Sequence, residues 1–506
     1  MKYIDTVLNR FTMYRVVLYY LLGLFAVALL LSIFKVIDYN PIYLLAEAAF
    51  ITAVSWLTNA IFSRVFSAPT NVESVYITAL ILTLLITPGS PGVMFGMYFW
   101  SAVIAMASKY IFAYRKQHVF NPVAIAAVIM SFAAGHITDW WVAGTPMLFP
   151  FVFFGGLLIV RKLRRADMLY AFFGAFTFFS ILHIVISGGN ILTTFVNVIL
   201  RSPIFFLGFV MLTEPLTAPT RKIPRVFYGA LVGSLAVPAA HLFGIYGTPE
   251  LALVLGNIFA FSITARDRVM LSLKATKELA QHTFELIFSP DVTPKFVPGQ
   301  YMEWTLPHEG SDTRGSRRYF TIASSPTEKD FLLGIKSFES GSTYKKALLL
   351  MKEGDMMTAS QVAGDFVLPK DKSEKLVFIA GGIGITPFRS MLKYLVDMNE
   401  QRDIVVFYLN KVADEVAYKD VLEEAKYKLG IRVVIVLTDP GAAEGNAWAE
   451  CGPCDAAMIT KYVPDYKDRT YYISGPHGMV NVFEQTLKQM GVIAKRIIVD
   501  FFPGFA

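Results

Sequence analysis

Between residues 15 and 265 the chain is a succession of apolar segments joined by short, mostly basic connections, and near residue 265 that character stops. The segments cover 15–36, 43–62, 73–87, 92–108, 121–135, 146–160, 167–187, 198–213, 226–244 and 249–265. Several are shorter than the roughly 20 residues a simple spanning helix needs. Short spans punctuated by Pro and Gly predict discontinuous helices, whose loose backbone has to be buried in protein. Over all 506 residues, 55% are hydrophobic and the mean hydropathy is +0.50. The excess lies in the first half, which is expected to be an all-α transmembrane bundle over 1–265.

Charge orders this half. Alternate connections carry Lys2, Arg10 and Arg15, then Arg64, then Lys109, Arg115 and Lys116, then Arg161, Lys162, Arg164 and Arg165, then Arg221, Lys222 and Arg225. The opposite connections carry only Lys35 and Arg201. The bias predicts a multi-pass protein of the cell (inner) membrane with both termini on the cytoplasmic side. The net charge of +7 is then explained by topology, and no nucleic-acid partner is expected. The first apolar run is too long for a signal peptide and reads as the first membrane helix.

Cys451 and Cys454 are the two cysteines. Two thiols cannot build an all-cysteine iron–sulfur cluster, which takes four. Cys451-Gly452-Pro453-Cys454 has dithiol spacing but lacks the strand-before, helix-after context of a redox motif, so two incidental thiols are the simpler reading. No metal site is expected.

Two polar interruptions occupy comparable places. Asn121-Pro122 opens a short span, and Glu214-Pro215 closes another. Pro frees a carbonyl, and a broken helix exposes amides able to hold an anion or a flavin edge; the simpler alternative is a kink filled by a neighbour. Glu47, Glu73 and Glu214 are acidic residues at or near membrane depth, where charge is costly and marks ion or substrate paths. The segments His118-Val119-Phe120-Asn121-Pro122, Phe209 to Pro215 (with Thr213 and Glu214) and Thr70-Asn71-Val72-Glu73-Ser74 resemble the B/D-type membrane subunits of the Na+-translocating NADH:quinone reductase and Rnf complexes. The resemblance covers roughly 15–265. It implies ten helices in two inverted halves with a flavin held in the bundle. The D-x-[ST]-G-A-[ST] motif that carries covalent FMN in those subunits does not occur; the loop where it would stand reads Gly135-His136-Ile137-Thr138-Asp139-Trp140-Trp141. A flavin there would be non-covalent FMN or riboflavin.

Beyond 265 the pattern changes. Residues 266–372 alternate apolar and polar with frequent Pro and Gly, which predicts a small antiparallel β-barrel. Residues 373–506 alternate strands with helices, which predicts a parallel-sheet α/β nucleotide domain. Arg318-Tyr319-Phe320-Thr321 resembles the R-x-[YF]-[ST] flavin motif of the ferredoxin–NADP+ reductase superfamily. The resemblance implies FAD, with Arg318 on the pyrophosphate, Phe320 against the isoalloxazine and the Thr321 hydroxyl near its N5 edge. Gly341-Ser342-Thr343 precedes a helical run and can present amides to phosphate. Gly381-Gly382-Ile383-Gly384-Ile385-Thr386-Pro387 follows a buried strand and opens a helix, a phosphate-approach turn. Ser474-Gly475-Pro476 resembles the superfamily's nicotinamide-side motif, with Ser where Cys is frequent. Thr321 and Ser474 are the candidate catalytic residues. Phe505 lies in a tail that resembles the family's aromatic cover. Lys411 can meet a 2′-phosphate as a point charge or stand as a surface lysine, so NADH and NADPH stay open.

The sequence thus predicts a membrane-bound NAD(P)H-dependent flavoprotein oxidoreductase. Electrons would pass from cytoplasmic NAD(P)H through FAD to a flavin or quinone in the bundle. Two alternatives stand beside it. In one the bundle is an anchor or docking module for a ferredoxin or flavodoxin reductase, or contacts another membrane subunit. In the other a haem lies between His183 and His241.

Overall fold

The computed structural model describes Leu8 and residues 11–66, 72–114, 117–135, 139–163, 165–219, 221–237, 241–242, 245–263, 269–308, 316–338, 341–439 and 449–502. Asn71, His136 and Phe505 lie outside the described residues. The chain divides into two compact units, Met1–Arg266 and Asp267–Ala506.

The first unit is helical: α1 (Met13–Ile33), α2 (Pro41–Val65), α3 (Val72–Leu85), α4 (Pro91–Ile111), α5 (Pro122–Ala134), α6 (Phe149–Leu163), α7 (Ala166–Ile186), α8 (Ile191–Arg201), α9 (Lys222–Leu235) and α10 (Pro249–Ile263). Pro at the first turn and an Asn side chain over the helix start open α2 and α5; Asn40 accepts from Ile42 N and Asn121 from Val123 N and Ala124 N. Among the described residues, four helices are long and apolar enough to cross a membrane: Met13–Ile33, Pro41–Val65, Pro146–Leu163 and Ala166–Ile186. Their outer faces keep large apolar side chains exposed, such as Trp56, Phe154, Tyr170 and Ile186.

Two expected segments differ. The stretch read as one span over 198–213 is broken at Ser202-Pro203, because Pro203 cannot continue α8; a short helix Ile204–Phe206 follows and passes into a π-helical turn, Leu207–Met211. The stretch read as 226–244 ends as helix at Leu235, and His241–Leu242 then pairs antiparallel with Ile245–Tyr246.

The second unit begins with strands β1 (Val269–Ala280), β2 (Thr283–Pro290), β3 (Tyr301–Thr305), β4 (Arg317–Thr321), β5 (Phe331–Lys336) and β6 (Met356–Ala363), with α11 (Thr343–Leu350) before β6. They form one antiparallel sheet in the order β4-β3-β6-β1-β2-β5. The sheet's ends are brought together just past β4, where Ala323 N donates to Leu332 O of β5 at 3.0 Å. Trp304, Phe288 and Leu286 fill its interior.

The remainder is a parallel sheet with helices. Its elements are β7 (Leu376–Gly381), α12 (Thr386–Asp397), β8 (Ile404–Asn410), α13 (Lys419–Leu429), β9 (Arg432–Leu437), β10 (Glu450–Cys451), α14 (Ala456–Tyr462), β11 (Thr470–Pro476), α15 (His477–Gln489) and β12 (Ile497–Phe502). The order is β10-β9-β8-β7-β11-β12. From β7 the chain builds outward to one side and then returns to the other, so β7 and β11 flank a topological switch point. In such sheets ligands bind in the crevice at the strands' carboxyl ends there.

Candidate functional site

At that switch point the two glycine motifs meet. Gly381 ends β7, and Ala380 is in register with Ser474 of β11. A Cβ on Gly384 would stand 2.3 Å from Ser474 O and 2.6 Å from its carbonyl carbon, so only glycine permits this approach. Gly382 has φ +52, a left-handed conformation that glycine adopts without penalty, and a Cβ there would meet nothing within 4 Å. Open space thus lies over the turn. Thr386 and Pro387 start α12 directly behind it, with Thr386 Oγ1 donating to Ile383 O at 3.1 Å. Ser474 is fully buried and its hydroxyl has no hydrogen-bond partner within the protein. A buried polar group is normally satisfied, so this hydroxyl is chemically ready for a ligand's polar edge. Gly475 and Pro476 follow it, with Pro476 exposed. Lys411 lies just beyond β8 and is exposed.

The other cluster gathers on β4. Alternation along a strand puts Arg318 and Phe320 on one face and Tyr319 and Thr321 on the other. The Arg318 guanidinium carbon lies 5.0 Å from the centre of the Tyr344 ring, and the Phe320 ring lies 5.9 Å from the same ring. Tyr344 sits in the first turn of α11, next to Gly341, Ser342 and Thr343. Ser342 caps α11, accepting from Lys345 N, and Thr343 Oγ1 lies 3.1 Å from His308 Nε2. Arginine, an aromatic face and a capped helix start therefore converge, the set a dinucleotide pyrophosphate and ring system needs. Tyr319 is instead tied to Glu303, its hydroxyl donating at 2.9 Å. Thr321 is buried at the strand's end. Tyr344 closes the Gly341-Ser342-Thr343-Tyr344 run read from the sequence as a helix start, but its contact with Arg318 and Phe320 carries no sequence signal. Tyr344 is anchored by its own hydroxyl, which donates to Trp304 O at 3.0 Å.

In the first unit the two broken-helix ends are joined directly. Glu214 Oε1 lies 3.1 Å from His118 Nε2, and Glu214 Oε2 accepts from Asn121 Nδ2 at 2.9 Å and from Thr217 Oγ1 at 3.2 Å. The backbone N–H of Asn121 donates to Asn257 Oδ1 at 2.8 Å. Pro122 and Pro215 flank this polar knot. Thr213 turns its hydroxyl back to Phe209 O. Glu73 is held by Arg15 at 2.8 Å. Beside the knot lies a partly open pocket, lined mainly by aliphatic side chains together with Tyr14, Ser74, Asn121, Thr213 and Glu214. The roles of Asn257 and Thr217 carry no sequence signal. Glu47 lies apart on α2, buried beside Tyr98. His183 is exposed on α7 and contacts Ser187, the residue that caps the end of that helix.

The context expected to be missing around the cysteine pair is present: Cys451 ends the edge strand β10 and is exposed, and α14 begins at Ala456, two residues after Cys454. Burial, with the adjacent Asp455 charge, pushes the Cys454 thiol up to about 12. Alkylation of the native protein at pH 8 is therefore expected to label Cys451 and spare Cys454, read by peptide mass; rapid labelling of both would contradict this environment.

Residues 378–485 match the oxidoreductase NAD-binding domain family. The flavohemoprotein of Oceanobacillus iheyensis is 26% identical over 241 residues, which is 46% of this chain and 58% of that protein. The glycine betaine monooxygenase reductase subunit of Chromohalobacter salexigens is 25% identical over 198 residues, 39% of this chain and 53% of that protein. The chain thus spans about half the length of the curated relatives it matches. Among solved structures, the flavohem-like FAD/NAD binding domain of nitric oxide dioxygenase from Vibrio cholerae is 21% identical, covering 47% of this chain and 99% of that one, with a TM-score of 0.42. The C-terminal unit is a ferredoxin-reductase-like FAD- and NAD-binding module, an antiparallel sheet followed by an α/β sheet.

Proposed function

We propose that the protein is a membrane-bound NAD(P)H-dependent flavoprotein oxidoreductase that delivers electrons to a flavin or quinone acceptor in its helical unit. The observation that carries the nucleotide half is the interlock of Gly384 with Ser474 at the switch point, with open space over Gly382. The residues present fit FAD and a nicotinamide nucleotide. Arg318, Phe320 and the start of α11 would hold FAD; Gly381–Ile385 and Ser474–Pro476 would hold the nicotinamide nucleotide. Bound FAD accepts a hydride and can release electrons singly. The chain's part is to bind, to orient and to keep water out. Arg318 supplies charge to the pyrophosphate, Ser474 an unspent hydroxyl to the nicotinamide edge, and Thr321 a hydroxyl at the end of the flavin strand.

For the helical unit, apolar outer faces and four long apolar helices support placement in a membrane. We read the family of its fold as that of the B/D-type subunits, with ten spans in inverted halves and the cavity beside Glu214 as the acceptor site for non-covalent FMN, riboflavin or a quinone. Both termini and the flavin unit then lie in the cytoplasm. The reductase-subunit relative favours a second reading, a membrane-anchored reductase that serves a separate redox protein such as a ferredoxin or flavodoxin.

Cofactor extraction from detergent-purified full-length protein tests both. FAD together with FMN or riboflavin is the expected result; FAD alone moves the balance to the anchored reductase, and protein without flavin overturns the proposal. Arg318→Ala is expected to weaken FAD binding by about 10- to 100-fold, through loss of a hydrogen-bonded charge, measured by flavin retention on dialysis.

A further inference from the structure

Arg389 takes no part in the binding sites above, yet it is buried at 7% exposure in the second turn of α12. Its guanidinium forks onto the Glu328 carboxylate, with the second nitrogen donating to Oε1 at 2.9 Å, and the first also donates to Ala323 O at 3.2 Å. The fork lies over the Tyr418 ring, 5.8 Å from its centre. Glu328 is fixed in turn by Ser325 N at 2.6 Å. One residue on, Ser390 Oγ donates to Ser324 O at 2.6 Å.

The two ends of this clasp are placed where they matter. Ala323 comes two residues after Thr321, at the end of the flavin strand. Arg389 comes five residues after Gly384, in the helix that the glycine turn opens. The seam between them is close-packed: a Cβ on Gly334 of β5 would stand 2.5 Å from the Tyr418 hydroxyl and 2.7 Å from Thr386 Cγ2. A buried ion pair adds little net stability over apolar side chains of equal volume. A forked, hydrogen-bonded pair does fix geometry, and a displacement of about 1 Å can cost about 100-fold in rate.

We infer that Arg389 is a positioning residue: through Glu328 and Ala323 it sets the spacing between the flavin strand and the nucleotide helix, and so the approach of nicotinamide to flavin. This rests on the hydride-transfer function proposed above.

The test uses full-length protein in detergent. The pair Arg389→Met with Glu328→Gln removes both charges at near-constant volume and keeps an acceptor for Ser325 N–H. It is expected to melt within about 4 °C of the parent. It should retain FAD and bind nucleotide within about twofold, yet reduce its flavin at least about tenfold more slowly at saturating NAD(P)H and lose long-wavelength flavin–nicotinamide absorbance. Arg389→Lys, which keeps the charge but not the fork, should show the same split between binding and limiting rate. In flavin-free protein, hydrogen exchange should rise only in 322–328 and 386–397. An unchanged limiting rate in flavin-loaded variants, or exchange that rises evenly through the unit, overturns the positioning role alone. A parent protein that binds no flavin overturns it together with the function it rests on.

Discussion

Gly384→Ala is expected to lower the limiting rate of flavin reduction by NAD(P)H by at least about 100-fold. The methyl group would have to occupy space 2.3 Å from a main-chain oxygen of β11. Backbone cannot yield as a side-chain tip does, so the turn must lift from Ser474 or the strands must part. Either movement displaces the turn's backbone from the Ser474 hydroxyl, the two parts proposed to face the nucleotide. Arg318 and Phe320 on the antiparallel sheet and Tyr344 on α11, the proposed flavin site, are separate from this turn and should keep the cofactor. Stopped-flow reduction of the FAD-loaded variant separates the outcomes. Loss of rate with flavin retained is the expected result; parent-like rates would mean that the glycine turn is not part of the nucleotide site.

Glu214→Ala is expected to cut electron delivery from NAD(P)H to a short-chain quinone by at least about tenfold while leaving ferricyanide reduction within about twofold. The carboxylate accepts from Asn121 and Thr217 and meets His118, and it lines the pocket. Its removal leaves buried donors unpaired, at about 1–3 kcal/mol each, and opens the knot that shapes that wall. Under the proposed function ferricyanide, a soluble acceptor, should draw electrons from the second unit without the bundle. Equal loss of both activities would point to general misfolding, and loss of neither would place the cavity off the electron path.

What the sequence makes legible here is local chemistry. Gly381–Pro387 can be read because a buried apolar strand precedes it and a helix follows, so the turn's role is fixed by its neighbours in the chain. Arg318-Tyr319-Phe320-Thr321 can be read because charge, ring and hydroxyl fall within one short strand. Long-range partners leave no such trace. Arg389 and Glu328 are 61 residues apart, and nothing in either neighbourhood announces a clasp. Tyr344 looks like an ordinary core tyrosine until Arg318 and Phe320 are seen to converge on it. In the helical unit the apolar pattern marks segments but blurs their ends. Residues 198–213 are apolar apart from Arg201, Ser202, Pro203 and the closing Thr213, so composition joins what the backbone divides, and a π-turn has no compositional signature distinct from an α-turn.

The bond between Asn121 and Glu214 joins positions 93 residues apart. Each of these residues also serves a second structure: Asn121 caps α5, and Glu214 receives Thr217 and faces His118. Neither can move alone without leaving a donor or an acceptor unpaired. The two helix breaks are therefore a single unit of selection, and related chains should change them together or keep both.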